Sequence, residues 1–339
     1  MTTKINFGHY YDFRNPARWR RPWAEFYAEL LDFICYTETL GFGGAWFSEH
    51  HMAEDGYIPS PLVVASAVAA RTKHLVLGTS IAIAPLYHPV RFAEDCAIID
   101  IISNGRFQVA VGSGYRQREL AAYGADFSAR GAYVDEFVQI VRRLWDGETV
   151  THRGQHFNLD SAFIMPRPVQ DRLPLFIGGY NKRAFRRAAR YGDGYLGSLE
   201  CYPAYMEQVR ACGTELARAR FGEIGFSLYV SRDPEKMFNE IAEHSLYTNN
   251  STASWMNEGK AGGVFATEVR SDPMDMETFR RQGLLKVMTP DQAIDYIRAR
   301  LKVAPIENFF TNAPPAGYPL SKFAESAELF AKEVIPAFI

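Results

Sequence analysis

The residues best suited to chemistry are the tandem pair His50-His51, directly behind Glu49. Imidazoles titrate near neutrality, so such a pair beside a carboxylate can move protons, hold a metal or brace a turn. A metal centre built on strand ends needs further His, Asp or Glu at other strands to complete its ligand set. The third, fourth, fifth and eighth strand-like segments supply none, so no metal is expected. Catalysis by Glu49, His50 and His51, or a purely structural role, remains open on the residues alone.

Two glycine turns form a second group. Gly178-Gly179-Tyr180-Asn181 follows an apolar run and leads into Lys182 and Arg183. A helix start exposes unpaired N–H groups that attract phosphate, and glycine lets the backbone come close. Lys182, Arg183, Arg186, Arg187 and Arg190 read as the mostly solvated face of that helix. Gly112-Ser113-Gly114 is a second close-approach loop of the same kind.

These residues fall at regular places in a repeating cycle. Strand-like runs lie at 5–10, 44–48, 75–81, 107–111, 175–177, 194–197, 224–230 and 306–310. Helical spacing follows each, at 23–40, 61–72, 88–102, 130–145, 182–191, 204–219, about 234–246 and 322–334, with one more at 290–302. Strand–helix alternation implies parallel pairing, and eight units favour closure. The expected fold is α/β, a (β/α)8 TIM barrel whose chemistry sits at the C-terminal strand ends.

The length of 339 residues suits one domain, 1–339, with an insertion between strands 7 and 8. That insertion, 247–284, is polar, weakly periodic and glycine-bearing at Gly259, Gly262 and Gly263. It also carries Trp255, Met256, Val264 and Phe265. It is expected to be an irregular, mobile lid. Phe7, Tyr10, Tyr11, Trp46, Phe47, Tyr87, Tyr115 and Phe310 read either as lining of an apolar pocket or as core.

Composition narrows the function class. The chain is 47% hydrophobic and 22% charged, with a net charge of −2. That is no footprint for nucleic acid or an anionic membrane. The N-terminus lacks a signal-peptide pattern, and no apolar run reaches the roughly 18 residues of a span. Cys35, Cys96, Cys201 and Cys212 form no CxxC pair and read as buried thiols in a reducing compartment. A cytoplasmic enzyme is expected, with no nucleic-acid or membrane partner.

Three stretches carry a resemblance: GFGGAWFSEHH, GTSIAIAPLYHPVRFAEDCAIIDIISNGRF and PLFIGGYNKRAFRRAARYGDG. With the closing AESAELFAKEVIPAF they make the chain similar to the bacterial luciferase-like flavin monooxygenases. The resemblance covers nearly the whole chain and is weakest at 247–284. It implies a barrel that binds FMN, reduced by a separate flavin reductase. Reduced FMN and O2 then oxidise a small, largely apolar organic substrate through a flavin C4a-hydroperoxide. It also implies a homodimer.

On that resemblance His50 is the catalytic histidine. The cofactor phosphate falls at Gly178, Gly179, Tyr180, Asn181 and Arg183, with the backbone N–H groups of Tyr180 and Asn181 directed at it. Ser80, Ile81, Gly112 and Ser113 border the rest of the cofactor, and a non-proline cis bond joins Ser80 to Ile81. Two alternatives share the fold: an oxidoreductase using the deazaflavin F420, and a flavin-binding protein without activity. Two positions depart from the family pattern. Ser113 replaces an arginine that holds phosphate, leaving Arg116 or Arg183 as substitutes. Gly112 replaces a cysteine, leaving more room beside the ring. Light emission is not expected.

Overall fold

The structure is a computed structural model that describes residues 5–258 and 272–339. Eight parallel strands are each buried among apolar neighbours: β1 (Asn6–Tyr11), β2 (Gly44–Phe47), β3 (Val76–Thr79), β4 (Phe107–Gly112), β5 (Leu175–Ile177), β6 (Gly194–Gly197), β7 (Arg220–Val230) and β8 (Ile306–Asn312). Each pairs with the next, and β8 pairs with β1, with Gly8 opposite Phe310. The result is the expected closed (β/α)8 barrel. Around it pack α1 (Trp23–Thr39), α2 (Pro61–Ala69), α3 (Pro89–Ser103), α4 (Arg130–Trp145), α5 (Lys182–Tyr191), α6 (Tyr202–Cys212), α7 (Pro234–Glu258), α8 (Pro290–Leu301) and α9 (Leu320–Leu329).

Strand alternation sorts side chains into two cores. Phe7, Tyr11, Ala45 and Phe47 join the large core between barrel and helices. Trp46, Ala110, Phe176, Leu196 and Phe310 fill the barrel interior. The ring of Trp46 demands a glycine next door: a Cβ on Gly78 would lie 2.8 Å from the indole. The interior is therefore a packed plug, and a ligand can be met only at its ends. Among the aromatics that read as pocket or core, Phe7, Tyr11, Trp46, Phe47 and Phe310 are core.

His9, on the outer side of β1, is enclosed by Phe42 and Phe323, with its Nδ1 3.3 Å from Thr311 Oγ1. Burial pushes its imidazole down to about 3.

Several elements differ from the sequence expectation. The third strand is interrupted rather than continuous over 75–81; it resumes at Ala82–Ile83 beside Val111 and Gly112. The connection after α4 contains a hairpin, Val150–Arg153 with Asn158–Ala162. An extra strand, Leu285–Met288, pairs with the second half of β7 outside the barrel. The largest difference falls in 247–284. Helix α7 runs on to Glu258, and a short helix spans Met276–Gln282. The expected irregular lid is thus helical over much of its described length. Gly259, Gly262, Gly263, Val264 and Phe265 lie outside the described residues.

Arg187 also departs from the solvated face assigned to its helix. It is buried and paired with Asp135 at 2.7 Å. Of the cysteines only Cys96 is buried, and Cys212 is exposed. No helix among the described residues is long and apolar enough to cross a membrane.

Candidate active site at the C-terminal strand ends

The Ser80–Ile81 peptide bond is cis, as the resemblance implied. The chain turns there, and Glu49 fastens the segment just beyond the turn. Its Oε2 accepts the Ile83 N–H at 2.6 Å, and its Oε1 accepts the Tyr87 hydroxyl at 2.8 Å. His51 Nε2 lies 3.0 Å from the same Oε1, while its Nδ1 lies 2.8 Å from the Tyr123 hydroxyl. Both ring nitrogens of His51 are therefore engaged in a buried network with Glu49. The tandem motif divides: Glu49 and His51 tie together the loops after β2 and β3, and His50 turns away from them to Tyr57, Tyr115 and Trp255.

His50 has its own partners. Its Nδ1 lies 2.9 Å from Glu119 Oε1, and its Nε2 lies 3.0 Å from the Tyr115 hydroxyl. Glu119 Oε1 also accepts the His51 N–H at 2.8 Å and Arg116 Nη1 at 2.9 Å. Burial pushes the Glu119 carboxyl up, but the bonds from His50, His51 and Arg116 outweigh it and hold it below the usual carboxylate range. An ionised carboxylate only accepts, so it fixes the proton on Nδ1 and leaves Nε2 to accept from Tyr115. Sequence reading missed Glu119 because Gln117–Ala122 passes as loop; it is a short helix. The signal available was the Arg116–Glu119 spacing of three residues directly after a strand end.

Above this chain sits the end of α7. The Trp255 ring lies 5.0 Å from that of His50 and 5.6 Å from that of Tyr57. The guanidinium groups of Arg14 and Arg116 lie over the indole at 4.8 and 4.6 Å. Arg14 is in turn paired with Asp55 at 2.6 Å, and Tyr247 donates to the same carboxylate. Two buried arginines from the loops after β1 and β4 thus hold α7 against the mouth. Arg116 is spent in this network and in its pair with Glu119, so it is no substitute phosphate anchor.

The second group, around β5, forms a separate cradle. Asn181 caps α5 by accepting the Ala184 N–H at 3.0 Å. The first-turn N–H groups beyond it have no intrahelical partners. Gly179 has φ +138, and a Cβ on it would lie 2.6 Å from Ala184 Cβ, so the turn requires glycine. Tyr180 is 46% exposed, and Asn181 and Arg183 are exposed beside it. The space beside Gly112 is not empty: a Cβ there would meet Ile81 Cδ1 at 2.0 Å. The room expected from the missing cysteine is filled by Ile81, which rises beside Gly112 and Gly178. Ser113 is half-buried on the same loop.

These features fit a planar cofactor with a phosphate tail. Ser80 Oγ and Glu119 Oε2 are buried without partners among the described residues. Glu119 holds His50, Ser80 precedes Ile81 in the chain, and Ile81 packs against Gly178 just before the Gly179 turn and its helix start.

A family model described as luciferase-like monooxygenase matches residues 5–306. The chain belongs to that family. The uncharacterized protein y4vJ of Sinorhizobium fredii is 32% identical over 312 residues, covering 89% of this chain and 88% of that one. The F420-dependent glucose-6-phosphate dehydrogenase of Amycolatopsis mediterranei is 24% identical over 319 residues, covering 91% and 93%. The crystal structure of monooxygenase RslO1 from Streptomyces bottropensis shares the fold at a TM-score of 0.80, with 22% identity and coverage of 99% and 100%. Flavin-dependent monooxygenases and F420-dependent enzymes both occur among such relatives. The luciferase-like chain is thus an oxidoreductase of the flavin- or F420-dependent kind.

Proposed function

We propose that the chain is an FMNH2- and O2-dependent monooxygenase of a small, largely apolar organic substrate, supplied with reduced flavin by a separate reductase. It would work as one domain, in the cytoplasm, as a homodimer. The observation that carries this reading is the Tyr115–His50–Glu119 chain beneath the Trp255 roof. It is a proton-handling group with little exposure to water, and the neighbouring Glu49 holds the segment just after the Ile81 turn.

When bound, FMNH2 would supply the two electrons that activate O2, one oxygen atom passing to the substrate and the other leaving as water. The residues supply the rest. Gly178, Gly179, Tyr180, Asn181 and Arg183 would hold the phosphate at the start of α5. Ser80, Ile81, Gly112 and Ser113 would border the ring. Tyr115 Oη is the atom that meets the reacting group, and His50 takes or returns its proton. Glu119 keeps the His50 tautomer, while Glu49 and His51 hold the loops that aim it. Trp255 keeps water from the mouth, as lids over reactive species must.

The test is calorimetric titration without oxygen, with FMNH2 and with reduced F420, followed by oxygen uptake. FMNH2 should bind and support substrate-dependent oxygen uptake. Binding of F420 with no measurable affinity for FMNH2 overturns the proposal in favour of the deazaflavin reading. Arg183→Ala should weaken FMNH2 binding by about tenfold, the effect of losing one hydrogen bond to a charged group. Unchanged affinity would place the phosphate elsewhere. Trp255→Ala should leave oxygen uptake intact but release more hydrogen peroxide per product; unchanged coupling would show that the indole does not guard the site.

A further inference from the structure

Two cavities meet at the rim between β1 and β8. The outer one, of about 490 Å3, lies against the first turns of α1 and α9, walled by Phe13, Phe26, Leu30, Pro319 and Leu320. The inner one, of about 20 Å3, touches Tyr10, Ser227 and Asn312 on the barrel strands and Ser245 and Thr248 on α7. Asp12, Ala313, Pro314 and Pro315 line both, so a thin wall of four residues separates them. The way in from directly above His50 is covered by Trp255. Arg14 belongs to both arrangements: it lines the outer cavity and lies over the indole.

We propose that the outer cavity is the substrate's antechamber, and that an apolar-bodied alcohol or phenol held there passes to the barrel mouth when the Asp12–Pro315 wall shifts, because the inner space of about 20 Å3 as it stands takes no more than a water. This rests on reading the strand ends as the active site. A cavity of this size holds a molecule of roughly drug-like dimensions. Its lining is mixed: beside the apolar surfaces stand Asp12, Arg14, Asn15, Arg21 and Glu29. Arg21 and Glu29 pair with each other where both are exposed, which leaves the apolar walls for the body of the guest and Asp12 and Arg14 for its hydroxyl. Asp12 Oδ1 already accepts the Arg14 N–H at 3.2 Å, and the carboxylate has capacity left to accept an O–H. Arg14 Nη2 is buried with no partner among the described residues and can donate to the same oxygen. Beyond the wall, Ser227, Asn312 and the Tyr10 hydroxyl continue the polar track; Tyr10 and Tyr57 share a hydrogen bond there.

The route is tested on the full chain, independently of turnover. Ser227→Cys places a thiol in the inner cavity, and methyl methanethiosulfonate is the probe, with the labelled position read by mass spectrometry. The native cysteines, Cys35, Cys96, Cys201 and Cys212, serve as internal controls. Adding Leu320→Trp should slow labelling of Cys at 227 about tenfold or more, a block equivalent to about 1.4 kcal/mol. Ser321→Trp, at an exposed position on the same wall, does the same if the first variant folds poorly. 1-Naphthol should protect the thiol, and naphthalene should protect roughly tenfold less well, for want of the hydroxyl. An unchanged rate in both plugged variants overturns the route. Equal protection by the two aromatics overturns the assigned chemistry. Because no cofactor is needed, a slowed rate with no FMNH2-dependent turnover would sustain the antechamber and reject the monooxygenase.

Discussion

His50→Ala is expected to lower substrate oxidation by about 10²–10⁴-fold, the usual contribution of a positioned proton-transfer group, while leaving cofactor affinity nearly unchanged. The geometry separates the two effects. His50 contacts Glu119, Tyr115, Tyr57 and Trp255, and none of these belongs to the α5 cradle. The fold should survive, because Glu119 Oε1 keeps the His51 N–H and Arg116 when the imidazole is removed. Tyr115→Phe should reproduce much of the loss, since it removes the hydroxyl through which His50 acts. A purely structural His50 would not alter the pH profile, so the limb that disappears from that profile in His50→Ala is the decisive readout. Single-turnover product formation at wild-type rate in His50→Ala would remove the histidine from the chemistry.

The second large effect concerns acid. The folded His9 imidazole is pushed down to about 3 by burial, against about 6.5 in an unfolded chain. Below about pH 6.5 the unfolded state binds a proton that the folded state refuses. The stability this group contributes is therefore full above that pH and is lost progressively as pH falls toward 3. At about 1.36 kcal/mol per pH unit, the loss approaches about 4–5 kcal/mol, a large part of a typical domain's 5–15 kcal/mol. Glu119 adds to the loss, because a depressed carboxylate also gives up stability as pH falls through its folded value. Urea midpoints between pH 7.5 and 4 should fall steeply for the natural chain and less steeply for His9→Gln. Parallel curves for the two would show that His9 is not the responsible group.

Much of this architecture is legible in the sequence because both sides of a barrel strand are buried. Runs such as Gly44–Phe47 and Leu175–Ile177 are short and wholly apolar, and glycine turns such as Gly41 and Gly178-Gly179 punctuate them. The strand-end placement of His50 is legible in the same pattern, and the cis Ser80–Ile81 bond followed from the resemblance. The second half of α7 is not legible, for a physical reason. Asn, Ser and Thr are poor helix formers that favour local bonds to backbone. Here their hydroxyls turn inward along the helix: Ser251, Thr252 and Ser254 donate to the carbonyls four residues earlier. Buried Ala253 and the Trp255 contacts with Arg14 and Arg116 then hold the turn. The pairs that build the site, His50 with Glu119 and Arg14 with Asp55, join residues far apart in the chain. No spacing rule reaches them.

The Trp255 latch also sets a toll on affinity. Any molecule that is to touch the His50 ring from above must wait for the indole to leave, so it binds only the unlatched fraction of the protein. If roughly one molecule in a hundred is unlatched, the apparent dissociation constant is a hundredfold weaker than the intrinsic one. Each contact that Arg14, Arg116 and Asp55 lend to α7 deepens that handicap, and a guest that replaces those contacts with its own removes it. Selectivity can therefore be set by a helix that the favoured guest displaces, as much as by the pocket the guest finally fills.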